Sequence, residues 1–129
     1  MRIPYEIFLG IQVVNINWGT FGARNEYVCA VRGRGNRNFG RAAITTALDG
    51  AVTNPHAGYP HVYHVQPQEG HCAGLTLYGY PAFTAGGFGN NADLYRAIYA
   101  NDPNGGVRFC GMVFHPAAND NRLNYCTRR

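Results

Sequence analysis

The chain has 129 residues, 46% of them hydrophobic, with 17 glycines and 7 prolines, and a formal net charge of +4 in which all 11 basic residues are arginine. That length bounds it to one domain with one modest core, and the glycine and proline content calls for many turns and short strands. The apolar run at residues 7–9 is too short, and too interrupted by Glu6 and Gln12, to cross a bilayer, which excludes an integral membrane role for that segment.

Arginine presents a planar fork of donors that fits phosphate bidentately and stacks on bases, so a basic chain with 13% aromatic residues suits RNA. Four cysteines in a small, turn-rich chain imply two disulfides and an oxidising compartment. No Cys-x-x-Cys pair occurs, which argues against zinc. Four cysteines allow three pairings, and spacing does not choose among them.

Residues 1–26 read as an N-terminal extension, either a degenerate signal peptide ending near Ala23 or a hairpin through Ile11, Val13 and Trp18. The domain then runs over 27–129. Residues 26–31 predict a strand, and the glycine–arginine stretch at 32–37 a loop that can lie along an RNA backbone. The spacing of Ile44, Ala47, Leu48, Ala51 and Val52 predicts one helix over 39–53, capped by Asn38 and closed by Pro55.

The stretch at 59–65 alternates, with Tyr59, His61, Tyr63 and Val65 to one side. Two phenols and an imidazole on one strand face are groups that bind phosphate esters and move protons near neutral pH. Strands follow at 72–78, 95–99 and 107–114. Arg96 and Ile98 face away from Tyr95, Ala97 and Tyr99, and Asp102-Pro103-Asn104-Gly105-Gly106 turns the last two strands into a hairpin. Residues 86–91 form a glycine–asparagine loop. One helix on a twisted antiparallel sheet is an α+β design that leaves one sheet face free. His56, His64 and His71 are spaced too irregularly for a metal, and no metal or cofactor is expected.

Helix, Tyr59-Pro60-His61-x-Tyr63, Tyr78-x-x-Pro81, Asp93-x-x-Arg96-x-Ile98-Tyr99, Phe109-Cys110-Gly111-x-Val113-x-His115 and a late Cys126, in that order, resemble the fungal guanine-specific ribonucleases over residues 27–126. Tyr27-Val28-Cys29 with the late cysteine also resembles the ribonuclease-like secreted effectors of powdery mildew fungi. The resemblance implies a microbial ribonuclease fold with pairs Cys29–Cys126 and Cys72–Cys110, each stabilising by about 3–5 kcal/mol. It implies transesterification of RNA to a 2′,3′-cyclic phosphate. His115 would be the general acid, Arg96 and Tyr59 would hold the phosphate oxygens, and His61 would assist or replace the base. The family's glutamate base falls on Gly79, which leaves that position vacant. Tyr63, Glu69 and Leu123 fall at substrate-binding positions, with a longer loop before Glu69.

The missing carboxylate favours a secreted, monomeric effector of impaired activity, away from membranes and acting inside a host cell. Its partners would be RNA and a host protein or immune receptor. The alternative is an active endoribonuclease that uses His61 as base.

Overall fold

The computed structural model describes residues 14–84 and 92–129. The apolar run at 7–9, Ile11, Val13 and the loop at 86–91 lie outside them.

The helix α1 is Arg41–Thr53, and it buries Ile44, Ala47, Leu48 and Ala51 as their spacing predicts. Val52 is 49% exposed, because residue i+8 drifts off the edge of the stripe. The N-cap is Gly40 without a side-chain bond, not Asn38. Asn38 is held in a strand, paired with Val28, and its side chain has no helix end to cap.

The strands are β1 Ile16–Asn17, β2 Tyr27–Val31, β3 Gly35–Phe39, β4 His61–Val62, β5 Tyr78–Pro81, β6 Tyr95–Asn101, β7 Val107–Phe114, β8 Asn124–Tyr125 and β9 Thr127–Arg128. They form a sheet ordered β9–β2–β3 and a larger one ordered β1–β7–β6–β5–β4, with β8 paired to β7. Among the described residues every strand pairing is antiparallel except β1 with β7, which is parallel. The sheet is therefore mixed at one edge, where residues before 27 join it.

This is an α+β fold with one helix packed on a sheet and two disulfides, Cys29–Cys126 and Cys72–Cys110. Two clusters fill it. The main core holds α1 against Tyr95, Ala97, Tyr99 and Met112, and also contains Val14, Ile16 and Phe21. The core thus begins before residue 27, where the sequence reading starts the domain. Ile16 pairs directly with β7, so a short strand stands just before Trp18. The second cluster lies on the opposite sheet face, where Tyr63, Leu77, Ile98 and Val113 surround Cys72–Cys110.

The strand expected over 72–78 is absent. Gly70–Cys72 is a short 3-10 helix, and Gly74 at φ +81° breaks any extended run before β5. The glycine–arginine stretch is a tight turn leading into β3, with Gly33 and Gly35 at φ +85° and +71°.

Candidate functional site

The site forms where the short edge strand β4 meets the end of β7. Period-two alternation carries Tyr59, His61 and Tyr63 to the same side. Their rings form a ladder: Tyr59 lies 5.0 Å from His61, and His61 stacks on Tyr63 at 4.5 Å with only 8° between planes. These three, with His115, Asn121 and Leu123, line a groove of about 410 Å³. Val62 and His64 line it as well, and Asn121 is the lining residue that the sequence did not single out. Its signal lay in the turn it belongs to, between Asp120 and Arg122.

That turn orients His115. The imidazole Nδ1 sits 3.0 Å from the main-chain oxygens of Asp120 and of Arg122. Both partners are carbonyls, so Nδ1 carries the proton and Nε2 is the nitrogen left for the groove. Arg122 grips the Asp120 carboxylate through Nε and Nη2. Hydrogen bonds from Arg122 hold the Asp120 carboxyl down at about 2. His61 likewise places Nδ1 3.1 Å from the Val62 oxygen, which again directs Nε2 elsewhere.

Arg96 is not at the groove surface. It is 3% exposed, beneath the phenols. Its Nε donates to the Tyr63 hydroxyl at 3.1 Å and Nη2 to the Tyr59 hydroxyl at 3.0 Å. Nη1 donates to the main-chain oxygens of Ala92, Asp93 and Tyr95 at 2.9–3.1 Å. The guanidinium also lies 4.9 Å from the Tyr59 ring centre, a cation–π contact. The Nε hydrogen, both Nη1 hydrogens and one on Nη2 are thereby engaged. This corrects the expectation that Arg96 holds phosphate oxygens: it holds two tyrosines and a turn. Nor does it pair with the Asp93 carboxylate, which bonds Arg34 at 2.9 Å.

Gly79 pairs with His61 across β4 and β5, so the expected base position does face the site. It is not empty space. A Cβ on Gly79 would stand 2.4 Å from Cε1 and 2.6 Å from Cδ1 of Tyr63. The Tyr63 ring fills the volume a carboxylate would need. Burial pushes the Tyr63 phenol up to about 12, against the pull of Arg96.

Glu69 is elsewhere. It is 1% exposed, accepts the Tyr27 hydroxyl hydrogen and pairs with Arg128 at 3.1 Å. The expectation that it binds substrate is corrected, because its oxygens are committed to a buried clasp between the ends of the chain. Leu123 does line the groove. An adjoining hollow of about 240 Å³ has a mixed lining, with Val62, Val65, Pro67, Leu75 and Leu77 beside Tyr63, His64 and Thr76. His56 bonds the Asn54 oxygen and His71 the Phe109 oxygen, whereas His64 borders both hollows.

No family model and no curated protein matches the chain. A solved structure does: a ribonuclease from Hericium erinaceus (RNase He1), with a TM-score of 0.52 and 25% sequence identity. The alignment covers 78% of this chain and 98% of that one. The fold is ribonuclease-like. On that fold the groove is lined by three imidazoles and two phenols, and the Tyr63 ring lies over Gly79.

Proposed function

We propose that the chain is a secreted ribonuclease-fold effector that binds single-stranded RNA in the Tyr59–His61–Tyr63 groove and is catalytically impaired. The observation that carries this reading is the Tyr63 ring over Gly79. Transesterification needs a base at the ribose 2′-OH. A phenol lifted to about 12 is protonated at neutral pH in all but roughly one molecule in 10⁵. Loss of a general base costs about 10²–10⁴ in rate. Arg96 donates to both tyrosines and does not line the groove.

What remains suits binding. Tyr59 and the exposed His61, beside a half-buried leucine, offer ring surface to bases, with stacking worth about 1–3 kcal/mol per base. His115 and His61 offer nitrogens to a phosphate between them. Two disulfides fit an oxidising compartment on the route out of the cell. Its site of action is a host cell, where it works as a monomer and where a host protein or immune receptor would meet the same surface.

Incubation of the purified protein with a labelled single-stranded RNA tests this. The expected result is binding that weakens with salt, without a 2′,3′-cyclic phosphate product above background. Efficient cleavage that disappears in His61→Ala would instead establish an endoribonuclease with His61 as its base.

A further inference from the structure

We propose that the β2–β3 hairpin is a second phosphate site, where Arg32 and Arg37 bind the backbone of an RNA strand that continues out of the groove. This inference rests on the groove reading above and extends it along the polymer.

The arginines are unevenly committed. Among the described residues, Arg41 donates to the Phe21 oxygen, Arg108 to the His71 oxygen, and Arg34, Arg122, Arg128 and Arg129 pair with carboxylates. Arg96 is buried beneath the tyrosines. The side chains of Arg24, Arg32 and Arg37 have no hydrogen-bond or ion-pair partner among the described residues, and two of these three belong to the hairpin. Among those residues the groove itself is lined by no arginine. A polyanion held there must find its counter-charges nearby.

The hairpin tip is fixed against the groove's end, not merely close in sequence to an arginine cluster. Arg34 anchors it through the 2.9 Å bond to the Asp93 carboxylate. The main-chain oxygen of Asp93 accepts from Arg96, which bonds both groove tyrosines. The next residue, Leu94, accepts the His115 N–H through its oxygen at 2.9 Å. One hydrogen-bonded path therefore runs from the tip to His115. Arg34 acts as the anchor, and the exposed Arg32 beside it is left as a donor. Gly33 and Gly35 have no atom within 4 Å of a Cβ position, so the tip stands open to a strand passing over it. A guanidinium fork recognises a phosphodiester bidentately, and a cation track leading away from aromatic stacking sites is the usual way single strands are held.

Two uncleavable 2′-O-methyl probes separate the hairpin from the groove: a labelled dinucleotide, which the groove can hold alone, and a labelled 10-mer. The Arg32→Ala/Arg37→Ala variant should bind the 10-mer about tenfold more weakly. Its slope of log affinity against log salt should fall by about 1.4, at roughly 0.7 for each single-strand phosphate that is no longer neutralised. Dinucleotide affinity should not change, and Arg32→Lys/Arg37→Lys should keep most of the 10-mer affinity. A 10-mer affinity within twofold of the unmodified protein, with the dinucleotide bound as before, overturns the hairpin site and leaves the groove reading standing. An equal loss on both probes also overturns it. If the unmodified protein binds the 10-mer but not the dinucleotide, and the alanine variant loses the 10-mer, the hairpin site holds and the groove reading falls. Melting curves of each variant check that the fold is intact.

Discussion

At residue 79 the absence of a side chain and the presence of a neighbour are one fact. Gly79 lacks a carboxylate, and Tyr63 occupies the space where one would begin. Tyr63 is not a pliant neighbour: it is buried, stacked on His61 and bonded to Arg96. Forcing a Cβ into that space costs about 1–3 kcal/mol as overpacking, and breaking the bond to a charged partner costs about 1.5–3 kcal/mol more. Gly79→Glu alone should therefore lower the melting temperature and leave RNA cleavage at background. Gly79→Glu/Tyr63→Ala removes the obstruction and should raise cleavage above either single variant, up to about a hundredfold. Comparing the three in one cleavage assay checks this; a stable, active Gly79→Glu would mean that Tyr63 obstructs nothing. The sequence identifies Gly79 as the departure, because its place follows from order and spacing. It does not reveal the ring above it, since one strand's alternation says which side a tyrosine takes but not how far its ring turns across the next strand.

Among elements, those with a local cause were the legible ones. The α1 stripe, the β6–β7 hairpin and the opposite faces of Arg96 and Tyr95 all follow from periodicity and turn chemistry, and all are found. The segment before β2 was not legible, because its two-residue strand pairs in parallel with a strand some ninety positions later. Phe21 shows what that segment contributes. Its ring is fully buried and stacks at 5.8 Å on Trp18 and 5.6 Å on Tyr27, with Phe109 edge-on at 5.0 Å. Phe21→Ala should cost about 3–5 kcal/mol in urea unfolding. Val52→Ala, at an exposed helix position, should stay within about 0.5 kcal/mol. A Phe21 loss below about 1 kcal/mol would mean that this ring adds little to the core.

Across the whole molecule the two disulfides divide the labour of holding the fold and shaping the site. Their pairing was open on spacing alone and came only with the family resemblance. Cys29–Cys126 closes a separation of 97 residues and Cys72–Cys110 one of 38. Chain entropy assigns them about 4.7 and about 3.9 kcal/mol, so neither dominates stability by much. Their positions differ more than their energies. Cys29 and Cys126 belong to the main core, where β2 meets the C-terminal strand pair. Cys72 and Cys110 lie in the second cluster with Tyr63 and Leu77, and Gln68 and Glu69 donate main-chain bonds to the Cys110 oxygen. The second bridge thus fixes residues 63–77 against β7, and with them the ring that closes the groove floor. Cys29→Ala/Cys126→Ala should lower stability slightly more than Cys72→Ala/Cys110→Ala, while leaving dinucleotide binding by the folded fraction intact. Cys72→Ala/Cys110→Ala should weaken that binding several-fold even where circular dichroism reports a folded chain. Urea unfolding of both variants beside dinucleotide titrations at low temperature makes the comparison. Unchanged dinucleotide affinity in the folded Cys72→Ala/Cys110→Ala protein would mean that the sheet, not this bridge, positions the tyrosine ladder.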